Sequence, residues 1–295
     1  MLTSTRLPVL ALGLLAALAG CARAAPPAGA RSDGGSSWPA SATPAPVEAR
    51  TPTGPSIKVL TYNMNYGLGG DQAGVEAVAA ADADLVLLQE TTPAWASALR
   101  TTLGERYPHM AFRDCCGAGG MGVLSKRPFV EKDYAHAPAG WFPAWRLVVD
   151  SPLGPLQVLN VHLHPQISES GSVVSGHFST PPIRAAEIAQ YHALLDPSLP
   201  TLVVGDFNED HDGGAVGYLS ERGFRSALSE LAGCQPTWHW RTSLGTVQAE
   251  FDHLVHDERL RPLEVHVLPV GRSDHFPLLG VFAAAFPAAP PGTTS

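Results

Sequence analysis

The sequence predicts a mixed α/β domain with strands and helices in separate layers. Three observations carry this. Short unbroken apolar runs, such as Leu85-Val86-Leu87-Leu88 and Leu202-Val203-Val204, read as strands buried on both faces. Helical stretches at 71–82, 93–103 and 182–195 stand between some of these runs. Other strands follow one another through turns alone, a pattern that favours mixed α/β layers over a purely parallel sheet.

Taken in order, the chain opens with Arg6 and an apolar run from Leu7 to Leu18. The run is short for a membrane span and has the shape of a signal peptide over 1–20. It ends in Leu18-Ala19-Gly20-Cys21, which is similar to the bacterial lipobox. That likeness implies lipidation of Cys21, a membrane anchor without a spanning helix, and an exported protein at the cell envelope. Cleavage near Ala24 by an ordinary secretory route is the alternative. Residues 21–55, rich in Ala, Pro, Ser and Gly, cannot bury enough surface to fold and read as a tether. The folded domain is expected over 56–286, with a disordered tail at 287–295.

Within the domain, Lys58 to Asn63 reads as a strand. A helix at 71–82 follows, with Asp71 as its cap. Residues 84–90 form the next strand, ending in Gln89 and Glu90, and a helix at 93–103 has Pro93 in its first turn. Met121 to Lys126 and Trp145 to Val149 are further strands. In the strand Pro155 to Pro165, period-two alternation puts Leu156, Val158, Asn160, His162 and His164 on one face. A long Gly/Ser-rich loop is expected over 166–180, then a helix at 182–195 with Ile183, Ala186, Ile188 and Tyr191 buried. Leu202 to Val204 leads to Gly205, where the chain is expected to turn and present Asp206 and Asn208 at the strand's exit. A helix at 213–222, an aromatic turn at Pro236–Trp240, and strands at 251–256, 263–270 and 277–282 complete the domain.

The bulk composition narrows the function. The 295 residues carry 19 Lys+Arg and a formal charge of -8, with no basic tract, which disfavours a protein that coats nucleic acid electrostatically. The four cysteines match no zinc finger or ribbon spacing. With Cys21 set aside, Cys234 is expected to pair with Cys115 or Cys116, because neighbouring cysteines bridge each other only with strain. All three as buried small hydrophobes is the other reading.

Polar groups recur at strand ends: Asn63, Glu90, Asn160, His162, Asp206, Asn208, Asp252, Asp274 and His275. Gathered together they would make an oxygen-rich cleft with two histidines. Carboxylate and amide oxygens suit Mg²⁺, with Mn²⁺ or Ca²⁺ possible, better than zinc. A hard cation beside general bases is what phosphodiester cleavage requires.

The series Thr61-Tyr62-Asn63, Leu88-Gln89-Glu90, Gly122 to Lys126, Asn160-Val161-His162, Gly205-Asp206-Phe207-Asn208, Phe251-Asp252-His253 and Ser273-Asp274-His275 resembles the endonuclease/exonuclease/phosphatase family. The likeness covers about residues 57 to 282. It implies a four-layered α/β sandwich, two mixed sheets face to face with helices outside, and a metal-dependent phosphodiester hydrolase. It implies Glu90 as metal ligand, supported by Asn63, with Asp274 a further contact. His275 becomes base or transition-state partner, oriented by Asp252. His162 is the second catalytic histidine, and Asp206 and Asn208 orient water and phosphate oxygens. Asn160 and Arg146 are the substrate-binding candidates, and His253 stands where the family often has an aromatic residue. The implied substrate is a phosphodiester, in nucleic acid or a phospholipid head group, with no obligate protein partner. A sphingomyelinase-like or small-substrate phosphoesterase and a non-catalytic binding lipoprotein are the alternatives. A zinc hydrolase built on His162-x-His164 fits less well, because Pro165-Gln166 follows.

Overall fold

The computed structural model describes residues 54–285 apart from 139, 169–170 and 244. The expected leader with Cys21, the expected tether up to residue 53 and the expected tail from 286 lie outside the described residues. In chain order the elements are β1 (Ser56–Asn63), α1 (Gln72–Ala81), β2 (Leu85–Gln89), α2 (Pro93–Leu103), β3 (His109–Arg113), β4 (Met121–Ser125), β5 (Phe129–His136), β6 (Pro143–Ser151) and β7 (Gly154–His162). Then come α3 (Val173–Ser179), α4 (Pro181–His192), β8 (Thr201–Asp206), α5 (Gly214–Ser220), β9 (Arg225–Ser226), α6 (Ala227–Leu231), β10 (Trp238–Thr242), β11 (Gly245–Ala249), β12 (Asp252–His256), β13 (Leu260–Val267) and β14 (Leu278–Ala284).

Two six-stranded mixed sheets organise these elements, in the orders β13-β14-β1-β2-β4-β3 and β5-β6-β7-β8-β12-β9, with β10-β11 a separate hairpin. Their inner faces meet in one core: Val59, Leu85, Leu87 and Val123 of the first sheet pack with Leu147, Val158, Leu202 and Val204 of the second. The outer face of the first sheet is covered by α1 and α2 through Val75, Val78, Trp95 and Leu99. That of the second is covered by α4 and α5 through Ile188, Tyr191, Ala215 and Leu219. This is the four-layered α/β sandwich. Strands buried from both sides have no polar face, so their sequences are continuous apolar runs. Asp71 caps α1 by accepting from Ala73 N and Gly74 N, as its position promises.

Several local expectations are corrected. β8 does not turn at Gly205 but continues to Asp206, with Gly205 at φ 138°. A Cβ there would lie 2.0 Å from the Val161 carbonyl oxygen, so the glycine serves close strand approach rather than a bend. The 166–180 segment is not all loop, because Ser172 caps the helix α3 within it. In α4, Ile188 and Tyr191 are buried as expected, but Ala186 is exposed and Arg184 and Glu187 take the inward places. Cys115 and Cys116 are bridged to each other in the turn after β3, so neither is available to Cys234.

Candidate active site

Strand register assembles the site. In the second sheet, His162 of β7 lies opposite Asp206 of β8, and Asp206 opposite Asp252 of β12. These three polar residues therefore form a row across adjacent strands. In the first sheet, Asn63 pairs in register with Gln89, which puts Glu90 one residue beyond. Because the sheets stack, the two rows face each other across the end of the sandwich, and the Asn63 amide nitrogen bridges them. It donates to Glu90 Oε1 at 3.1 Å and to Asp206 Oδ2 at 3.0 Å.

His275 enters from the turn before β14. Its Nδ1 lies 2.8 Å from Asp252 Oδ2, and its Nε2 faces Asp206 Oδ2 at 3.5 Å. His162 Nε2 reaches the same Asp206 oxygen at 3.6 Å. The other Asp206 oxygen accepts from the Asn208 backbone N–H at 2.8 Å. Asp206 thus sits between two imidazoles, and all four side chains are buried.

Burial and charge push the two histidines apart. Desolvation, with the nearby His275 charge adding to it, lowers His162 to about 3. Burial works in the same direction on His275, but Asp252 and Asp206 outweigh it and raise it to about 10. At neutral pH one ring is a neutral imidazole and the other an imidazolium. Desolvation raises Asp206, opposed by the His275 charge. Desolvation also raises Glu90, against hydrogen bonds from Tyr66 N and Asn63.

A second circle of contacts holds these groups. Tyr66 N donates to Glu90 Oε2 at 3.0 Å. Asn65 and Trp238 hold the two oxygens of Asp274 at 2.8 and 3.0 Å. Ser273 Oγ donates to Asn63 O and accepts from His275 N. Phe142 stacks on His162 with ring centroids 4.1 Å apart. Glu90, Asn65 and Asn208 all have left-handed backbone, at φ 57°, 58° and 53°. Such conformations are uncommon, for Glu above all, and their clustering here marks a site shaped at some conformational cost.

Of the residues expected at the site, Asn63, Glu90, His162, Asp206, Asp252 and His275 are brought together, with Asn208 and Asp274 beside them. Asn160 is on the anticipated face but lies beneath the cleft, fully buried. Its amide accepts from Gln89 Nε2 at 2.6 Å and donates to Leu88 O, tying the sheets together rather than meeting a substrate. Arg146 is not at the site. Its neighbour Trp145 faces the inter-sheet core, so Arg146 points outward, where Asp133 and Gln157 hold its guanidinium at 2.6 and 2.8 Å. Sequence reasoning missed Asn65, Phe142, Trp238 and the bridging part of Gln89. Only Trp238, in the aromatic turn, carried a readable signal.

The donor set fits a hard cation. Ligand atoms of Asp206, Asp252 and His275 lie within 4.8 Å of one another, and Asp252 Oδ1 is buried without a hydrogen-bond partner. Glu90 and Asp274 add carboxylate oxygens at the same end of the sandwich, a crowding of negative charge that a cation relieves.

The profile of the Endonuclease/Exonuclease/phosphatase family matches residues 60–275, which spans every group just described. The chain belongs to this family. Like other family members it is a hydrolase acting on phosphoric ester bonds. No curated protein sequence matches it. Among solved structures, D. rerio TDP2 complexed with single-strand DNA product is similar at 17% identity and a TM-score of 0.61, over 78% of this chain and 99% of that one. An endonuclease/exonuclease/phosphatase from Beutenbergia cavernae DSM 12333 has 18% identity and a TM-score of 0.59, over 78% and 72%. A functionally unknown conserved protein from Enterococcus faecalis V583 has 19% identity and a TM-score of 0.57, over 77% and 100%. At these identities the likeness is one of fold, and it agrees with the family sandwich.

Proposed function

We propose that the chain is a divalent-cation-dependent phosphodiesterase acting on nucleic acid, with Mg²⁺ as its ion, and that Cys21 lipidation holds it at the outer side of a cell-envelope membrane. The observation that carries the catalytic reading is the His275–Asp252 pair aimed at Asp206. Glu90 is the main carboxylate for the ion, with Asn63 fixing its orientation and Asp274 in support. His275 is less suited to ligation, because an imidazolium repels a cation. When bound, the ion supplies positive charge that polarises the phosphoryl oxygens and steadies the leaving oxygen.

The chain's own groups divide the remaining work. The His275 Nε2–H donates to a phosphoryl oxygen as charge builds there, with Asp252 holding the ring and its charge in place. Asp206, its carboxylate raised toward neutral pH, accepts the proton of the attacking water. Asn63 and the Asn208 backbone N–H fix both Asp206 oxygens, so the carboxylate is oriented before substrate arrives. His162, neutral and stacked on Phe142, offers Nε2 to the same place as a polar contact without charge. Groups with opposed shifts in one pocket are the usual sign of divided acid and base roles.

Nucleic acid is favoured because the similar TDP2 structure holds a single-strand DNA product. Trp240, half exposed and stacked parallel to Trp238 beside the site, offers a flat surface for a base. The test is hydrolysis by the full chain in detergent of plasmid DNA, RNA, sphingomyelin and bis-p-nitrophenyl phosphate, with Mg²⁺, Mn²⁺, Ca²⁺ or chelator. Nucleic-acid cleavage abolished by chelator is expected, and turnover of the lipid alone would overturn the substrate assignment. Membrane fractionation of wild type and Cys21→Ala tests the anchor, which fails if both fractionate alike.

A further inference from the structure

We propose that Tyr66, Trp141, Phe178 and Trp240 form one binding rim around the cleft, and that the substrate it fits is single-stranded nucleic acid with its bases turned onto those rings. The inference rests on the phosphodiesterase reading above and names the form of its substrate. These four are the exposed Phe, Tyr and Trp side chains among the described residues, at 53, 41, 71 and 55% exposure. One exposed ring means little, because a folded surface is largely apolar. Here each of the four is tied by a short chain of contacts to a different part of the site.

Trp141 stands just ahead of β6. Trp145 pairs with Asn160, so the register carried back puts Pro143 beside His162 and Trp141 beside His164. The ring contacts agree: Phe142 stacks on His162 with centroids 4.1 Å apart, and Trp141 meets His164 at 4.3 Å. Trp240 comes from the opposite side. Thr237 Oγ1 accepts from Phe251 N and Asp252 N, each at 2.9 Å, which fixes the start of β10 to the entry of β12. Trp238 then donates to Asp274 and lies parallel to Trp240. On the first-sheet side, the Tyr66 N–H holds Glu90. Phe178 packs edge-on against His177, centroids 4.9 Å apart. His177 Nδ1 lies 2.9 Å from Gln166 Oε1, and Gln166 donates to Asn208 O at 3.1 Å.

Strands β6, β7, β8 and β12 are neighbours in that order. The strands that lead to Trp141 and Trp240 therefore stand three spacings apart, about 14 Å, with Asp206 between them. A phosphate set against Asp206 and His275 has an aromatic ring on either side along the sheet. An anionic centre flanked by flat apolar faces matches the repeat of a nucleic acid, phosphate and then base. A lipid-inserting surface would gather its apolar side chains on one protruding side, not on opposed sides of a carboxylate cluster. In a duplex the base faces are covered by their neighbours, so only a single strand can lay bases on such platforms. The charge balance points the same way. At -8 with no basic tract, stacking rather than phosphate neutralisation has to supply most of the affinity.

The test is binding of a fluorescent oligothymidylate of about twelve nucleotides, its duplex, and an abasic strand of the same length, read by anisotropy. The full chain in detergent is used, as wild type in chelator and as His275→Ala in Mg²⁺ with its fold checked by circular dichroism, so that binding is read apart from cleavage. The single strand should bind at least about tenfold tighter than the duplex or the abasic strand. It should weaken less than about tenfold between 50 and 200 mM salt, where six to ten phosphate contacts would lose about 10³–10⁵. Trp141→Ala and Phe178→Ala should each narrow the gap between oligothymidylate and abasic strand by about 5- to 150-fold, the worth of one stacked base. Trp141→Phe, which keeps a ring, should restore it. Equal affinity for the three ligands would overturn the proposal, as would a strand that phospholipid added to the micelles displaces, which would assign the rim to lipid. The expected binding pattern without cleavage of any strand would instead count against the phosphodiesterase reading and leave the rim standing.

Discussion

His275 is held between two carboxylates of different standing: Nδ1 is hydrogen-bonded to Asp252 Oδ2 at 2.8 Å, and Nε2 faces Asp206 Oδ2 at 3.5 Å. Asp252 therefore fixes the ring and Asp206 shares its working end. The two acids together raise His275 to about 10 against the opposing effect of burial. The imidazolium is present below that pH and is lost as pH rises through it. Activity that depends on the charged ring should fall on the alkaline side. Asp252→Asn removes the nearer charge, lowers the His275 pKa and moves the alkaline limb to lower pH. It should also cost about 10²–10⁴ in kcat, the range for an acid–base group. A pH–rate profile of wild type and variant checks this, and an unmoved alkaline limb would count against it.

Glu90 makes a separate prediction. Its oxygens are oriented by Asn63 Nδ2 and Tyr66 N, and its backbone sits at φ 57°. A neutral amide can keep one of those contacts but removes the charge that attracts a cation. Glu90→Gln should leave the fold intact and raise the Mg²⁺ concentration for half-maximal activity at least about tenfold, equivalent to about 1.4 kcal/mol of lost ion affinity. Titrating activity with Mg²⁺ decides it, and an unchanged half-saturation point would move the ion elsewhere.

How much of this was legible follows from burial. Strands β2 and β8, covered on both faces, announce themselves as Leu85-Val86-Leu87-Leu88 and Leu202-Val203-Val204. β3 and β5 are partly exposed and carry polar residues, so HMAFR and FVEKDYAH give no clear signal. The helix α3 sits in a Gly/Ser-rich stretch with no apolar period. At the site, period two put Asn160 on the correct face of β7, but how deep it lies depends on Gln89 in the opposite sheet, which one strand's pattern does not contain. Arg146 follows Trp145, and Trp145 fills the core, so the same alternation pointed Arg146 away from the cleft. Asp252 and His275 stood out as polar groups at strand ends, and it was the family resemblance that paired them.

Gly205 tests the backbone beneath the site. It stands at φ 138°, and a Cβ would lie 2.0 Å from Val161 O and within about van der Waals overlap of other Val161 backbone atoms. Neither side can yield without breaking the β7–β8 ladder that aligns His162 with Asp206. Gly205→Ala should destabilise the domain by at least about 3 kcal/mol and reduce activity more than the lost folded fraction explains. Urea unfolding alongside activity measured at the same temperature checks both halves.

Glu187 ties stability to pH. It is fully buried in α4, where one oxygen accepts from His164 N at 2.8 Å and the other has no hydrogen-bond partner. The neighbouring Arg184 is bonded to Glu209 at 2.8 Å and to Thr180, so it gives Glu187 only a through-space attraction. Desolvation accordingly raises Glu187 from 4.5 to about 7. Between those values the folded chain keeps a proton that the unfolded chain releases. Stability is therefore fullest below about pH 4.5 and falls as pH rises toward 7, by roughly 3 kcal/mol from this group alone. Glu187→Gln keeps an acceptor for His164 N and cannot ionise. Its Tm should match wild type near pH 4.5 and exceed it at pH 8, because only the wild type then holds an unpaired buried charge. Thermal unfolding across that range reads the difference directly, and a variant less stable than wild type at pH 8 would show that the carboxylate is held by more than burial allows.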